Sequence, residues 1–263
     1  MIERPVTNLL KVTALALGLL MQTERLSASA FRVTPVRVDF SRSNASTLLT
    51  VVNESDEELR FQVSAFSWLQ DSKGAMQLEK TQDITFFPAL LTLKPGEERK
   101  VRVGTKSFAT DTEKTYRIFF EELPSMVKKN DTAGASVKIL TRMGIPIFVT
   151  PAQTRPNGAI DAAAVGRGKL TFDVANRGNV HFSVQSLKVS GYGADGNRLF
   201  ERELEGWYVL PNIPRTYEVE IPSDVCSKLK RVEVEAQTDA TDAEFATLKA
   251  GTDVAQASCK SGS

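Results

Sequence analysis

The chain has 263 residues, 33 Lys and Arg against 32 Asp and Glu, one His and two Cys. Such a balance of charge excludes nucleic acid or an anionic membrane surface as the main partner, since either would need a basic excess. With one histidine and no Cys/His cluster, a zinc site of the usual kind is excluded, and neither a metal nor another cofactor is expected.

Residues 1–30 read as a secretory signal peptide. Arg4 and Lys11 precede the apolar run Val12–Met21, and the small residues of "SASA" end at Ala30, the expected cleavage site. That run is too short to cross a bilayer as a helix, and no membrane span is expected elsewhere. Removal of the peptide leaves 30 basic and 30 acidic side chains on the mature chain. In an exported protein, Cys226 and Cys259 form one disulfide or remain a pair of buried thiols.

After residue 31 the pattern is that of short alternating strands between turn signals. The expected strands are 32–40, 46–53, 58–68, 84–87, 98–104, 114–123 and 136–150. The turn-rich "TPAQTRPNGAIDAA" interrupts them, and the pattern restarts at 168–176, 180–190, 198–205, 215–221 and 230–238. Two domains follow, 31–151 and 152–263, divided around Pro151–Pro156. An internal repeat supports the division. "LTVVNESDEELRFQV" (49–63) matches "FDVANRGNVHFSV" (172–184), with Leu49, Val51 and Asn53 against Phe172, Val174 and Asn176. Leu59, Phe61 and Val63 then fall against Val180, Phe182 and Val184 across a turn two residues shorter. "LTLKPGEERKVRV" and "YVLPNIPRTYEVEI" form a looser second echo. This strand density fits an all-β protein of two consecutive immunoglobulin-like sandwiches.

Catalytic equipment is sparse. His181 stands in an alternating strand as an ordinary sheet residue. Asp39, Asp83 and Asp173 are scattered without paired spacing, and no G-x-S-x-G elbow accompanies the histidine. "GYGADG" (191–196) sits between strands as a hairpin loop rather than a phosphate cradle. The composition reads as a binder, not an enzyme.

One strand is unusual. In "SVKILTRMGIPIFVTP" (136–151) the odd positions Val137, Ile139, Met143, Ile145, Ile147 and Val149 are apolar, with Thr141 in the middle of the row. The strand is longer than the usual five or six residues, and Pro146 marks it as an edge or bulge. A long apolar edge is an aggregation hazard unless a partner uses it, and one use is strand addition to that partner. Free copies could also self-associate through it.

"FRVTPVRVDF", "LLTVVNESDEELRFQVSAFSW", "FFPALLTLKPGEERKVRVG", "TYRIFFEELP" and "VKILTRMGIPIFVTP" occur in the order seen in periplasmic pilus-assembly chaperones. The chain resembles that family over 31–151, more weakly over 152–260, and is most similar to the archaic branch that assembles Csu-type and spore-coat-U-like pili. The resemblance implies two sandwiches set in an L, a periplasmic location, pilin subunits as guests and an outer-membrane usher as recipient. It implies donor-strand complementation, in which Val137, Ile139, Met143 and Ile145 fill an open groove in a pilin that lacks its last strand. Four such side chains would contribute roughly 6–12 kcal/mol before ordering costs. Ile147–Pro151 would stay in the chain's own core. The guest's terminal carboxylate needs an anchor between the domains. Better-known members use an arginine on the first strand, matched here by Arg37, and a lysine late on the long strand, where this chain has Pro146. Arg117 is then the main replacement, with Arg142 in support. A secreted two-sandwich adhesin or structural surface protein is the alternative reading, and a hydrolase using His181 a remote one.

Overall fold

The computed structural model describes residues 30–124, 139–240, 243–255 and 259. The signal-peptide segment and Val137 lie outside the described residues. Strands β1 (Phe31–Thr34), β2 (Val38–Phe40), β3 (Ser46–Asn53), β4 (Leu59–Gln70), β5 (Met76–Lys80), β6 (Ile84–Phe87), β7 (Leu90–Leu93), β8 (Glu98–Thr105), β9 (Lys114–Glu122) and β10 (Arg142–Val149) build the first half. The second half holds β11 (Gly158–Gly166), β12 (Lys169–Asn176), β13 (Phe182–Tyr192), β14 (Arg198–Glu205), β15 (Tyr208–Val209), β16 (Arg215–Glu220), β17 (Arg231–Thr238) and β18 (Thr247–Asp253). One-turn helices α1 (Ser223–Cys226) and α2 (Ala243–Ala246) flank β17. Among the described residues no helix is long and apolar enough to cross a membrane.

In the first half a sheet ordered β1-β3-β8-β6 faces a sheet ordered β2-β10-β9-β4-β5, with β7 added to β4. In the second, β11-β12-β16 faces β14-β13-β17-β18, with β15 added to β13. Each pair encloses one apolar core. Val33, Leu49, Val101, Phe61, Ile118 and Ile147 lie in the first; Phe172, Val174, Leu187, Val219 and Val234 lie in the second. Alternation explains this directly, because every second residue of a strand meets the facing sheet. The described ladders stay within one half or the other. Both halves are immunoglobulin-like sandwiches, as the strand pattern implied. Cys226 and Cys259 are bonded, with Cα atoms 5.7 Å apart, which ties the end of α1 to the tail beyond β18.

The structure departs from the sequence reading in five places. Of the expected strand 136–150, the described residues 139–141 are not strand, and β10 begins at Arg142. Residues 32–40 form two strands, not one. Pro35 cannot donate to a ladder, and the chain changes sheets there: β1 pairs with β3, whereas β2 runs parallel to β10. The stretch read as a linker is one only as far as Asn157, because Gly158–Gly166 pairs with β12. Strands β5, β7, β15 and β18 escaped notice because they are short edge additions or carry polar, Gly-containing sequence. The repeat also has a different register. Asn53 Nδ2 donates to the carbonyls of Glu57 (2.7 Å) and Leu93 (3.0 Å), while its Oδ1 accepts from the Ser55 N–H (2.9 Å). Asn176 does the same with Val180 (2.8 Å), Val209 (2.9 Å) and the Gly178 N–H (2.9 Å). Leu59 pairs with Leu93 and Phe182 with Val209, so Leu59 corresponds to Phe182 and the two turns have equal length.

Candidate functional site

The long strand leaves its own core gradually. Ile145, Ile147 and Val149 are fully buried, Met143 packs partly against the same core, and Ile139 is 55% exposed. Ile145 therefore corrects the sequence reading. A side chain already inside this protein's core is not free for a partner, and the division falls at Met143 rather than after Ile145. Thr141 sits where the row opens. Its carbonyl accepts from the Glu122 N–H at 2.9 Å, closing the end of the β9–β10 ladder. Leu140, 44% exposed, adds a second apolar side chain to the emerging segment.

The opposite face of β10 looks toward the second half. Phe148 and Trp68 form a small cluster with Leu210, flanked by Leu78 and Tyr208. Gln70, at the end of β4, clips the partner segment: its Nε2 donates to the Tyr208 carbonyl (3.1 Å) and its Oε1 accepts from the Leu210 N–H (3.3 Å). His181 also belongs to this seam. It lies one residue before β13, stacks on Phe148 at 3.5 Å and 11°, and holds Glu113 across the junction (Nδ1 to Oε2, 2.6 Å). It is an interface residue, which alternation alone could not reveal. The scattered aspartates are engaged as well. Asp83 accepts from the Tyr116 hydroxyl (2.6 Å) and Asp173 from the Thr216 hydroxyl (2.6 Å). Among the described residues no cluster of His, Cys, Asp and Glu is placed to hold a metal.

Three arginines were singled out as anchors, and the structure separates them. Arg142 is exposed, stacked 3.9 Å over Phe119 and 3.4 Å from Glu121. Gly144 permits this stack, because a Cβ there would come within 2.6 Å of the Phe119 ring. Arg37 is already engaged by a carboxylate. Its Nε and Nη2 meet Asp39 at 3.0 and 2.9 Å, and Nη1 lies 3.9 Å from Asp239 of the second half. Burial pulls the Arg37 pKa down, but the hydrogen bond and charge of Asp39, with Tyr208 and Asp239, outweigh it and the net shift is upward.

Arg117 is different. It stands opposite Pro146 on β9 and is 5% exposed, with its guanidinium carbon 4.2 Å above the Trp68 ring and 5.6 Å from that of Trp207. Nη1 reaches the Gly144 carbonyl at 3.5 Å. Nε and Nη2 are buried with no acceptor among the described residues, and so is Trp68 Nε1. Burial lowers the Arg117 pKa, with Tyr208 opposing, but a guanidinium stays charged in proteins. Nε and Nη2 make up one edge of the guanidinium, the edge that grips Asp39 in Arg37. A buried cation with no acceptor on that edge is suited to one planar carboxylate, held by two parallel bonds. Trp68, Trp207 and Gln70 were not found from the sequence. Their only signal was that the chain has just two tryptophans, one in each half.

Comparison with known proteins agrees with this architecture. Residues 30–155 match the family model described as pili and flagellar-assembly chaperone, PapD N-terminal domain. Over these residues the chain is PapD-like. It is 29% identical over 223 residues to the chaperone protein LpfB of Salmonella typhimurium, covering 82% of this chain and 87% of that protein. The solved CsuC–CsuE chaperone–tip adhesion subunit pre-assembly complex, from archaic chaperone-usher Csu pili of Acinetobacter baumannii, shares the fold. Its TM-score is 0.58 at 16% identity, covering 86% of this chain and 98% of that one. The SafA pilin–SafB chaperone complex of Salmonella enterica gives a TM-score of 0.52 at 14% identity, covering 85% and 97%. The PapD-like assignment thus covers the half that carries β9, β10 and Arg117, and the shared fold extends over both halves.

Proposed function

We propose that this protein is a periplasmic chaperone that completes pilin subunits with its own β10 segment and delivers them to an outer-membrane usher. The observation that carries the reading is Arg117: a buried guanidinium with its two-donor edge unoccupied, beside the strand whose apolar row runs out of the core. A subunit's terminal carboxylate would fill that edge. From there its last strand would run along β10 toward Met143, Ile139 and Val137, whose side chains would enter the subunit's groove. Arg142 and Phe119 would line the path between them. Arg37 would act at a distance, because Asp39 holds it and its reach to Asp239 helps fix the two halves.

Co-expression with a candidate subunit, followed by co-purification from periplasmic extract, tests the reading. Ile139→Asp and Arg117→Ala should each abolish subunit recovery while the chaperone keeps its circular dichroism spectrum and yield. Normal recovery with either variant would overturn donor-strand complementation anchored at Arg117.

A further inference from the structure

The second half supplies a residue to the anion site. We propose that Trp207 is a positioning residue that holds the Arg117 guanidinium against Trp68, so that its Nε–Nη2 edge faces the incoming carboxylate. This rests on the reading of Arg117 given above.

The geometry makes Trp207 a fixed wall rather than a loose surface ring. Gly206 presses against β13 so closely that a Cβ there would lie 1.8 Å from the Val184 carbonyl oxygen. The Trp207 carbonyl accepts from the Val184 N–H at 2.9 Å. Gln70 holds the next residues from the first half. Tyr208 stands edge-on to both tryptophans, at 83° and 5.5 Å from Trp207 and at 89° and 5.6 Å from Trp68. The guanidinium thus has two indole rings within cation–π range, Trp68 buried and Trp207 42% exposed. Ring faces attract the cation but accept none of its in-plane hydrogens. They stabilise the charge without occupying the donors, which a carboxylate neighbour such as Asp39 cannot do. Because Arg117 and Trp68 come from the first half and Trp207 from the second, the site is complete only when the halves are docked.

The test uses the full mature chain and an acetylated pentapeptide, Lys-Val-Thr-Val-Ala, as the free acid and as the C-terminal amide, with affinities from calorimetry. Wild type should bind the acid at least tenfold more tightly than the amide, and Arg117→Ala should remove that preference. Trp207→Ala should lower the acid-to-amide ratio at least fivefold with an unchanged melting temperature. Trp207→Phe, which keeps a ring face, should restore it to within threefold of wild type. If Arg117→Ala removes the preference but Trp207→Ala leaves it intact, Trp207 has no positioning role and the carboxylate reading stands. If Trp207→Phe is as weak as Trp207→Ala, the ring-face argument is overturned. Equal binding of acid and amide by wild type, or no binding of the acid, overturns the carboxylate reading and this inference together.

Discussion

The β10-β9-β4 sheet of the first half and the β14-β13-β17-β18 sheet of the second each have a face turned away from their cores, and the two faces treat charge in opposite ways. On the second, charges are exposed and paired with neighbours on the same or the adjacent strand. Lys188 lies 3.9 Å from Glu201, Arg231 3.0 Å from Glu233, and Lys249 2.9 Å from Glu235. On the first, the outward residues include Phe66, Trp68, Phe119 and Phe148; Arg142 there is exposed and lies beside Glu121, but Arg117 is buried with no carboxylate beside it. A solvated ion-pair face contributes little stability and needs no partner. An unpaired buried cation costs free energy in the isolated molecule. The carboxylate proposed to bind at Arg117 would offset that cost.

Three comparisons would break or sharpen this contrast. The largest effect is expected along β10 itself. Ile145→Asp puts a carboxylate into the first core and should cost about 4 kcal/mol or more, whereas Ile139→Asp should change stability by no more than about 0.5 kcal/mol. Urea unfolding of both variants measures the difference, and similar losses would mean that the strand does not leave the core at Met143. Next come the two asparagine turns, which the halves share. Asn53→Ala removes four hydrogen bonds and Asn176→Ala three from buried sites, and each should cost about 2–3 kcal/mol. A large inequality in the same unfolding measurement would show that the repeat is not energetically equivalent. The smallest effect concerns the two outward faces directly. Arg117→Met should raise stability by about 1 kcal/mol as it removes an unpaired buried charge, while Lys188→Met should stay within about 0.5 kcal/mol of wild type. A clear loss of stability in Arg117→Met would show that the guanidinium serves the fold rather than a guest.

The contrast between the faces was only partly legible beforehand. Alternation located the long strand and placed Ile147 and Val149 in the core, and the missing lysine at Pro146 pointed to Arg117. Whether an arginine is open or saturated depends on what folds beside it, and Asp39, two residues from Arg37, saturates that one. His181 was placed in a sheet because its neighbours alternate, although its ring crosses to Phe148 and Glu113 of the other half. In the repeat, Val180 and Phe182 are both apolar and either satisfies the pattern. Only the pairing of Phe182 with Val209 decided between them.

The sequence by itself determined the all-β character, the repeat around two turn asparagines, the apolar row of β10 and the set of arginines from which an anchor could come. These follow from period-two patterning and turn chemistry, which act between near neighbours along the chain. The tertiary structure decided the switch of sheets at Pro35, the burial of Ile145 and the two tryptophans beside Arg117. Each of these depends on which distant strand or half comes to lie alongside, and alternation carries no information about that.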